Sequence, residues 1–280
     1  MSYKTILVHL DASPRCAART ELALALAARH GSHLIGLAPT GLPDVLATMS
    51  SAVPDGVQFV ALSARFLRER ADALAFAFEE QMRAAGAVSH EARVVVGEAL
   101  DIVVRHALCA DLVVVGQTDR GASPDGVAWD FPQQVVLHAG CPLLAVPHSG
   151  DFKTVGRRVL IAWKDTREAS RALRDALPLL GAAERVVVVE VADGAAPPAA
   201  SRVALREVQD WLGCHGIAVE TRVEAGVADV GDVLLSRTAD FGSDLIVMGA
   251  YGHSRMREWV LGGATRHLLD HMTVPTLLSH

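Results

Sequence analysis

The residue types best able to do chemistry in this chain lie near its C-terminal end. An apolar run, Leu245 to Met248, ends at Gly249, and a second glycine, Gly252, follows three residues later. After nine more residues comes the pair Gly262-Gly263, then Ala264 and Thr265, at the head of a helical segment running to Met272. Without a Cβ, glycine lets the backbone come close to a ligand. The first amides of a helix lack intrahelical partners and carry partial positive charge, so they favour an anion such as phosphate. His253, inside the same loop, could donate to a phosphate, and Ser254 reads as a turn serine. Glycines at strand–helix turns also arise from tight packing alone, so the spacing by itself leaves both readings open.

Other chemistries have less support. The three lysines, Lys4, Lys153 and Lys164, stand in no Gly-Lys-Ser/Thr context, so there is no P-loop. No Gly-x-Gly-x-x-Gly follows the first strand of either half, and there is no Gly-x-Ser-x-Gly elbow. His267 and His271 are four apart on a helix, but no third ligand is evident, and a solvated helix face and no metal site are expected. No general base with suitable neighbours can be named, so slow ATP hydrolysis is the most that an enzyme reading would claim. Cys16, Cys109, Cys141 and Cys214 lack ligand or redox spacing, which fits packed thiols in a reducing compartment. A formal charge of −6 argues against a nucleic-acid partner. No stretch reaches transmembrane length, and the start leads straight into a strand, so a cytoplasmic protein without a membrane partner is expected.

The elements that must position the glycines come in two similar series. Ile6–Leu10 reads as a strand, Asp11 to Pro14 as a turn, and apolar helical spacing then runs to His30-Gly31. A strand at 33–37, a Pro/Gly/Ser-rich stretch at 40–56 and a long helix at 62–85 follow. Next come a strand at 92–96, a helix at 100–108, a strand at 111–115, a helix from about Pro132 and a strand at 142–146. After a linker at 150–156 the order repeats: strand 159–163, helix through 169–180, strand 186–191, helix 203–212, strand 218–223, helix 229–239, strand 244–248 and strand 275–278. Asp111 and Asp244, Gly116 and Gly249, and Pro142 and Pro275 all match at one offset, since 249 − 116 and 275 − 142 both equal 133. Alternating strands and helices imply parallel sheets with right-handed crossovers. The expected fold is therefore α/β: two tandem open sandwiches, at 1–149 and 156–280, each with a mostly parallel five-stranded sheet.

The strand–turn–helix start, the strand–long helix–strand middle and the terminal Gly-x2-Gly-x9-Gly, Gly249 to Gly262, resemble a tandem universal stress protein over essentially the whole chain. The resemblance implies a fold like that of the adenine nucleotide alpha hydrolases. It also implies a stress-response regulatory role and ATP or ADP as ligand, with Mg²⁺ as an accompanying cation. Carried over position by position, the nucleotide-binding residues are Ala162, Asp165, Thr166, Val191, Gly249, Gly252, His253, Gly262, Gly263, Ala264 and Thr265, with Val191 against adenine. Gly263 stands where the family often has Ser or Thr, and Lys164 where it commonly has a ribose-binding aspartate, leaving Asp165 beside it. In the first half Asp119 stands opposite Gly252, Trp129 opposite Gly262, Asp130 opposite Gly263 and Pro132 opposite Thr265. Carboxylates in place of phosphate-binding amides repel phosphate by roughly 4 kcal/mol per pair at about 4 Å and an effective dielectric near 20. Asp130 before Phe131-Pro132 reads instead as a helix cap. The first half is thus expected not to bind nucleotide in the usual place.

The resemblance further implies an unnamed protein partner and pairing of the last strands, Leu143–Val146 and Thr276–Leu278. Whether they pair as a homodimer or within one chain is left open. The alternative to nucleotide binding is a nucleotide-independent dimerisation or interaction module.

Overall fold

A computed structural model describes residues 2–41, 56–86, 88–118, 130–152, 154–193, 198–226, 229–252 and 263–280. These residues form two compact units, Tyr3–Cys141 and Pro142–His280. Most of the Pro/Gly/Ser-rich stretch at 40–56 lies outside the described residues.

The first unit is built from β1 (Thr5–His9), α1 (Cys16–His30), β2 (His33–Pro39), α2 (Gly56–Ala85), β3 (His90–Val95), α3 (Ala99–Ala107), β4 (Leu112–Gly116) and α4 (Phe131–His138). Its strands run parallel in the order β3-β2-β1-β4. Ile6, Val8, Leu34, Leu37 and Leu112 to Val115 are fully buried. That is the pattern expected where helices cover both faces of a parallel sheet. α2 begins earlier than the apolar spacing indicates, at Gly56 rather than Leu62. Asp130 does sit at the start of α4, but its carboxylate makes no capping bond there. It accepts from the Gln134 side chain at 2.8 Å instead, while Pro132 needs no acceptor in the first turn.

The second unit contains β5 (Leu143–Val146), β6 (Arg158–Trp163), α5 (Arg167–Asp175), α6 (Leu177–Leu180), β7 (Arg185–Asp193), α7 (Pro198–Cys214), β8 (Glu220–Gly226), α8 (Val230–Asp240), β9 (Leu245–Gly249), α9 (Gly263–His271) and β10 (Thr276–Ser279). The helix expected across 169–180 is broken between α5 and α6, where Pro178 falls in the first turn of α6. The strand order is β5-β10-β9-β6-β7-β8, all parallel except β5, which runs antiparallel to β10 with Leu144 opposite Leu277. The two last strands of the halves therefore pair within one chain. β10 is flanked on both sides, by β5 and β9.

The aspartates that open the matched strands have the same job in both units. Asp111 accepts from the amides of Lys4 and Thr5 at 2.7 and 2.9 Å. Asp244 accepts from the amides of Gly156, Arg157 and Arg158 at 3.1, 3.2 and 2.9 Å. Each carboxylate ties the start of its strand to the start of the neighbouring first strand and so fixes the register between them.

That register also places the candidate site. β6 has β7 on one side and β9 on the other, so the chain leaves β6 in one direction and returns on the opposite side. Such a switch point opens a crevice beyond the C-terminal strand ends, where ligands of open α/β sheets bind.

Candidate functional site

A cavity of about 360 Å³ occupies that crevice in the second unit. Its size is within the range of small-molecule sites. Ala162 of β6 is opposite Val189 of β7 and Met248 of β9, so the three share one face, with Val191 two residues further along β7. They form the apolar floor, and Val230 and Leu234 of α8 close one side. Gly249, Tyr251 and Gly252 after β9 and Gly263, Ala264 and Thr265 at the start of α9 complete the lining. Lys164, one residue past β6, is the only charged group among the described lining residues.

Each glycine has its own physical reason. A Cβ on Gly249 would stand 2.5 Å from the Glu168 carbonyl carbon and 2.9 Å from the Ala169 Cα, and closer still to the Ala169 nitrogen. These are backbone atoms of α5 that cannot swing aside, so Gly249 is required by packing as well as lining the cavity. A Cβ on Gly252 would meet side-chain atoms, Glu168 Oε2 at 3.1 Å, Thr166 Oγ1 at 3.2 Å and Thr166 Cβ at 3.4 Å. Gly263 has nothing within 4 Å of its Cβ position, and its amide opens a nine-residue helix. Between the first two glycines Tyr251 has φ +62°, the only positive value at a non-glycine residue among those described. An aromatic residue held in the left-handed region costs of order 1–3 kcal/mol and marks a turn fixed by its surroundings. The Ala250 amide donates to Ser279 at 2.8 Å, which holds the entry to this turn against β10.

Seven of the predicted residues line the cavity together: Ala162, Val191, Gly249, Gly252, Gly263, Ala264 and Thr265. Thr166 does not line it. Its hydroxyl caps α5, accepting from the Ala169 amide at 3.3 Å, directly beneath Gly252. Asp165 is turned to a separate depression of about 160 Å³, between Trp163, Arg174 and Trp211. His253 and Gly262 lie outside the described residues. Sequence reasoning missed Val189, Met248, Tyr251, Val230 and Leu234. The strand register could have supplied the first two, because alternation puts them on the same face as Ala162 and Val191.

In the first unit larger side chains stand at matched positions. Leu112 pairs with Ile6 and Leu245 with Val159, so with 245 − 112 = 133 the first strands match at 159 − 6 = 153. His9 then corresponds to Ala162, Asp11 to Lys164 and Arg19 to Ala172, while Phe131 corresponds to Ala264 at the offset of 133. His9 and Phe131 pack ring against ring with centroids 4.9 Å apart, and both are buried. Arg19, 1% exposed, donates through Nε to the His9 carbonyl at 3.0 Å and pairs with Asp11 at 2.8 Å. Its Nη1 lies over Gly116, in the place where a Cβ would stand. Three alanine positions of the second unit thus carry large side chains in the first. Asp119 and Trp129 lie outside the described residues.

Charge in this cluster follows from burial. Burial pushes His9 down to about 4, outweighing Asp11, and Arg19 adds to the fall. His9 is therefore neutral at pH 7, and its 3.8 Å approach to Asp11 is not an ion pair. For Asp11 burial acts upward, but Arg19, His9 and the Ser13 hydroxyl, which donates to it, together hold its carboxyl far below the usual range.

A further cluster lies where α8 and α9 begin. Asp229, Asp232 and His267 bring ligand-type atoms within 4.8 Å of one another. This supplies the neighbours that the sequence did not reveal for His267. Both carboxylates are already employed, Asp232 with His267 Nε2 at 2.8 Å and Asp229 as the cap accepting from Gly231 at 2.8 Å.

A model of the universal stress protein family matches residues 2–147 and again 156–280. No match was found among curated proteins. A universal stress protein from Archaeoglobus fulgidus DSM 4304 is similar in structure, with a TM-score of 0.72, 18% identity, and 98% of this chain and 97% of that one covered. A protein of unknown function from Pseudomonas aeruginosa PAO1 gives a TM-score of 0.60 at 15% identity, covering 99% and 92%. A universal stress protein in complex with cAMP matches 53% of this chain and all of its own, with 22% identity and a TM-score of 0.38.

Proposed function

This chain belongs to the universal stress protein family, and from that premise we propose that its second unit binds an adenine nucleotide, ATP or ADP, as a stress-response regulator. The observation that carries the reading is the cavity at the β6/β9 switch point. It offers an apolar floor on the β7 side and the backbone of Gly252, Gly263 and Ala264, the last two at a helix start, on the β9 side. A planar base fits the first and a phosphate the second. The first unit, with His9 and Phe131 at the positions of the cavity residues Ala162 and Ala264, serves as a nucleotide-free domain.

Mg²⁺ does not fit the described lining, which contains no carboxylate. Magnesium is ordinarily held through one or two carboxylates together with phosphates and water. No metal-dependent step is therefore assigned to residues of this chain.

The test is direct. Protein purified without added nucleotide is denatured and the released small molecules are chromatographed. The same preparation is melted with and without millimolar ATP. An adenine nucleotide in the supernatant, or a midpoint raised by ATP, is the expected result. An empty supernatant together with an unmoved midpoint refutes the reading.

A further inference from the structure

We propose that Asp229, Asp232 and His267 form a site for a divalent transition-metal ion, with zinc the best fit, at the joint between α8 and α9. The site stands outside the nucleotide cavity and does not rest on the reading of that cavity.

Asp229 is the N-cap residue of α8, and Asp232 stands three positions on, in the first turn. That spacing puts both carboxylates on one side of the helix start. His267 comes from the second turn of α9. One oxygen of each aspartate and one ring nitrogen of His267 lie within 4.8 Å of one another, and Asp232 Oδ1 is 2.8 Å from His267 Nε2. Zinc holds oxygen and nitrogen ligands at about 2.0–2.2 Å in a tetrahedron, which sets ligand atoms roughly 3–3.5 Å apart. Both aspartates are exposed, so small rotations of their side chains close the remaining distance.

His267 is positioned by its surroundings. Gly231, between the two aspartates, lets the ring lie against the α8 backbone: a Cβ there would stand 2.6 Å from His267 Cδ2 and 3.0 Å from Cγ. The His271 ring stacks on it with centroids 4.4 Å apart. His271 is itself fixed by Nδ1, which donates to the His267 carbonyl at 2.9 Å. A ligand whose orientation is set by packing loses little freedom when it binds an ion.

The bonds already made by the carboxylates leave room for a cation. An ionised carboxylate has about four lone-pair positions, and the bond from the Gly231 amide takes one, on Asp229 Oδ1. The contact between Asp232 and His267 marks the point of entry. There the ion replaces the hydrogen between Oδ1 and Nε2, and that proton passes to Nδ1 or to water. Two carboxylates and a neutral imidazole carry two negative charges, which suit a dication. The imidazole selects zinc and its neighbours, whereas magnesium and calcium prefer oxygen ligands. Three protein ligands leave a fourth position for water. The Asp232 side chain is 62% exposed, so a hydrated ion reaches it. Val230 and Leu234 of α8 and Gly263 to Thr265 of α9 line the cavity, so an ion at this joint ties together two elements of its wall.

The experiment titrates Zn²⁺ calorimetrically into the full chain, freed of metal by a chelator, and into His267→Ala, Asp232→Asn and Asp229→Ser variants. Unfolding midpoints confirm that the variants are folded. Serine caps a helix about as well as aspartate, so Asp229→Ser keeps the cap and removes the carboxylate as a ligand. A residue that only caps would leave Zn²⁺ affinity unmoved. One Zn²⁺ is expected to bind and to raise the unfolding midpoint of the parent. Each substitution should weaken that binding by about tenfold or more, the lower end of the loss when even a supporting contact of a metal ligand is removed. Mg²⁺ at the same concentration should leave the midpoint in place. The proposal is overturned if the parent binds no Zn²⁺, if the affinity survives His267→Ala or Asp229→Ser, or if Mg²⁺ matches Zn²⁺.

Discussion

Placing an aspartate at Gly252 copies into the second unit what the first carries at the matched position, since 119 + 133 = 252. The new Cβ would stand 3.1 Å from Glu168 Oε2 and 3.2 Å from Thr166 Oγ1. The Glu168 carboxylate can swing aside, whereas Thr166 is held by its cap bond to the Ala169 amide, so the steric cost is moderate. The charge is the larger effect. Glu168 is only 12% exposed, and two carboxylates about 4 Å apart repel by roughly 4 kcal/mol at an effective dielectric near 20, less where water screens them. A nucleotide phosphate at the α9 amides would meet the same repulsion. Gly252→Asp should therefore lower ATP affinity by about 100-fold or more. Disturbing the Thr166 cap and crowding Glu168 should also lower the unfolding midpoint by several degrees, at roughly 2–4 °C per kcal/mol. Gly252→Ala supplies the same Cβ without charge and should keep ATP affinity within about tenfold of the parent. Calorimetric titration with ATP, paired with thermal unfolding, reads both quantities. Undiminished ATP binding by Gly252→Asp would refute the placement of the phosphate. Equal losses in both variants would refute the electrostatic argument and leave a steric one.

Other perturbations separate packing from binding. Gly249→Ala drives a Cβ into the backbone of α5 and should destabilise the second unit by about 1–3 kcal/mol, seen as a lower denaturant midpoint with no nucleotide present. In the first unit Asp11→Ala leaves Arg19 buried without its carboxylate, at a cost of about 3–5 kcal/mol. Chemical denaturation would detect this, and an unchanged midpoint would show that the cluster is not holding α1 to the sheet. Acid should act on the same cluster through His9. Its folded pKa of about 4 lies below the ordinary 6.5, so the unfolded chain binds the extra proton first. Stability is then full above pH 6.5 and is lost as pH falls toward 4, by about 3 kcal/mol for this one group. The depressed Asp11 adds a loss only at still lower pH. In His9→Gln the slope of stability between pH 6.5 and 4 should flatten.

Much of this protein was legible in its sequence because the signals were local or repeated. Apolar runs of four to six residues and helical spacing between them gave the strands and helices, and the common offset of 133 gave two copies. The copies also exposed the asymmetry between the halves, since Asp130 and Pro132 stand where Gly263 and Thr265 do. The glycine spacing led to a cavity that brings seven of the named residues together.

Other features depended on distances that no spacing contains. Gly249 looked like a place for a ligand, yet the contact that demands a glycine there is with Ala169, eighty residues earlier in the chain. Asp165 and Lys164 are adjacent in sequence, and only the turn after β6 decides that Lys164 enters the cavity while Asp165 faces away. The cluster of His9, Arg19 and Phe131 in the first unit joins three elements that the sequence shows far apart. The pairing of β5 with β10 within one chain was likewise undecided by two similar apolar strands. Sequence determined which elements form, because backbone propensity and hydrophobic period act over a few residues. Tertiary structure decided which side chains share a space, because strand register and helix docking are set by contacts between residues remote in the chain.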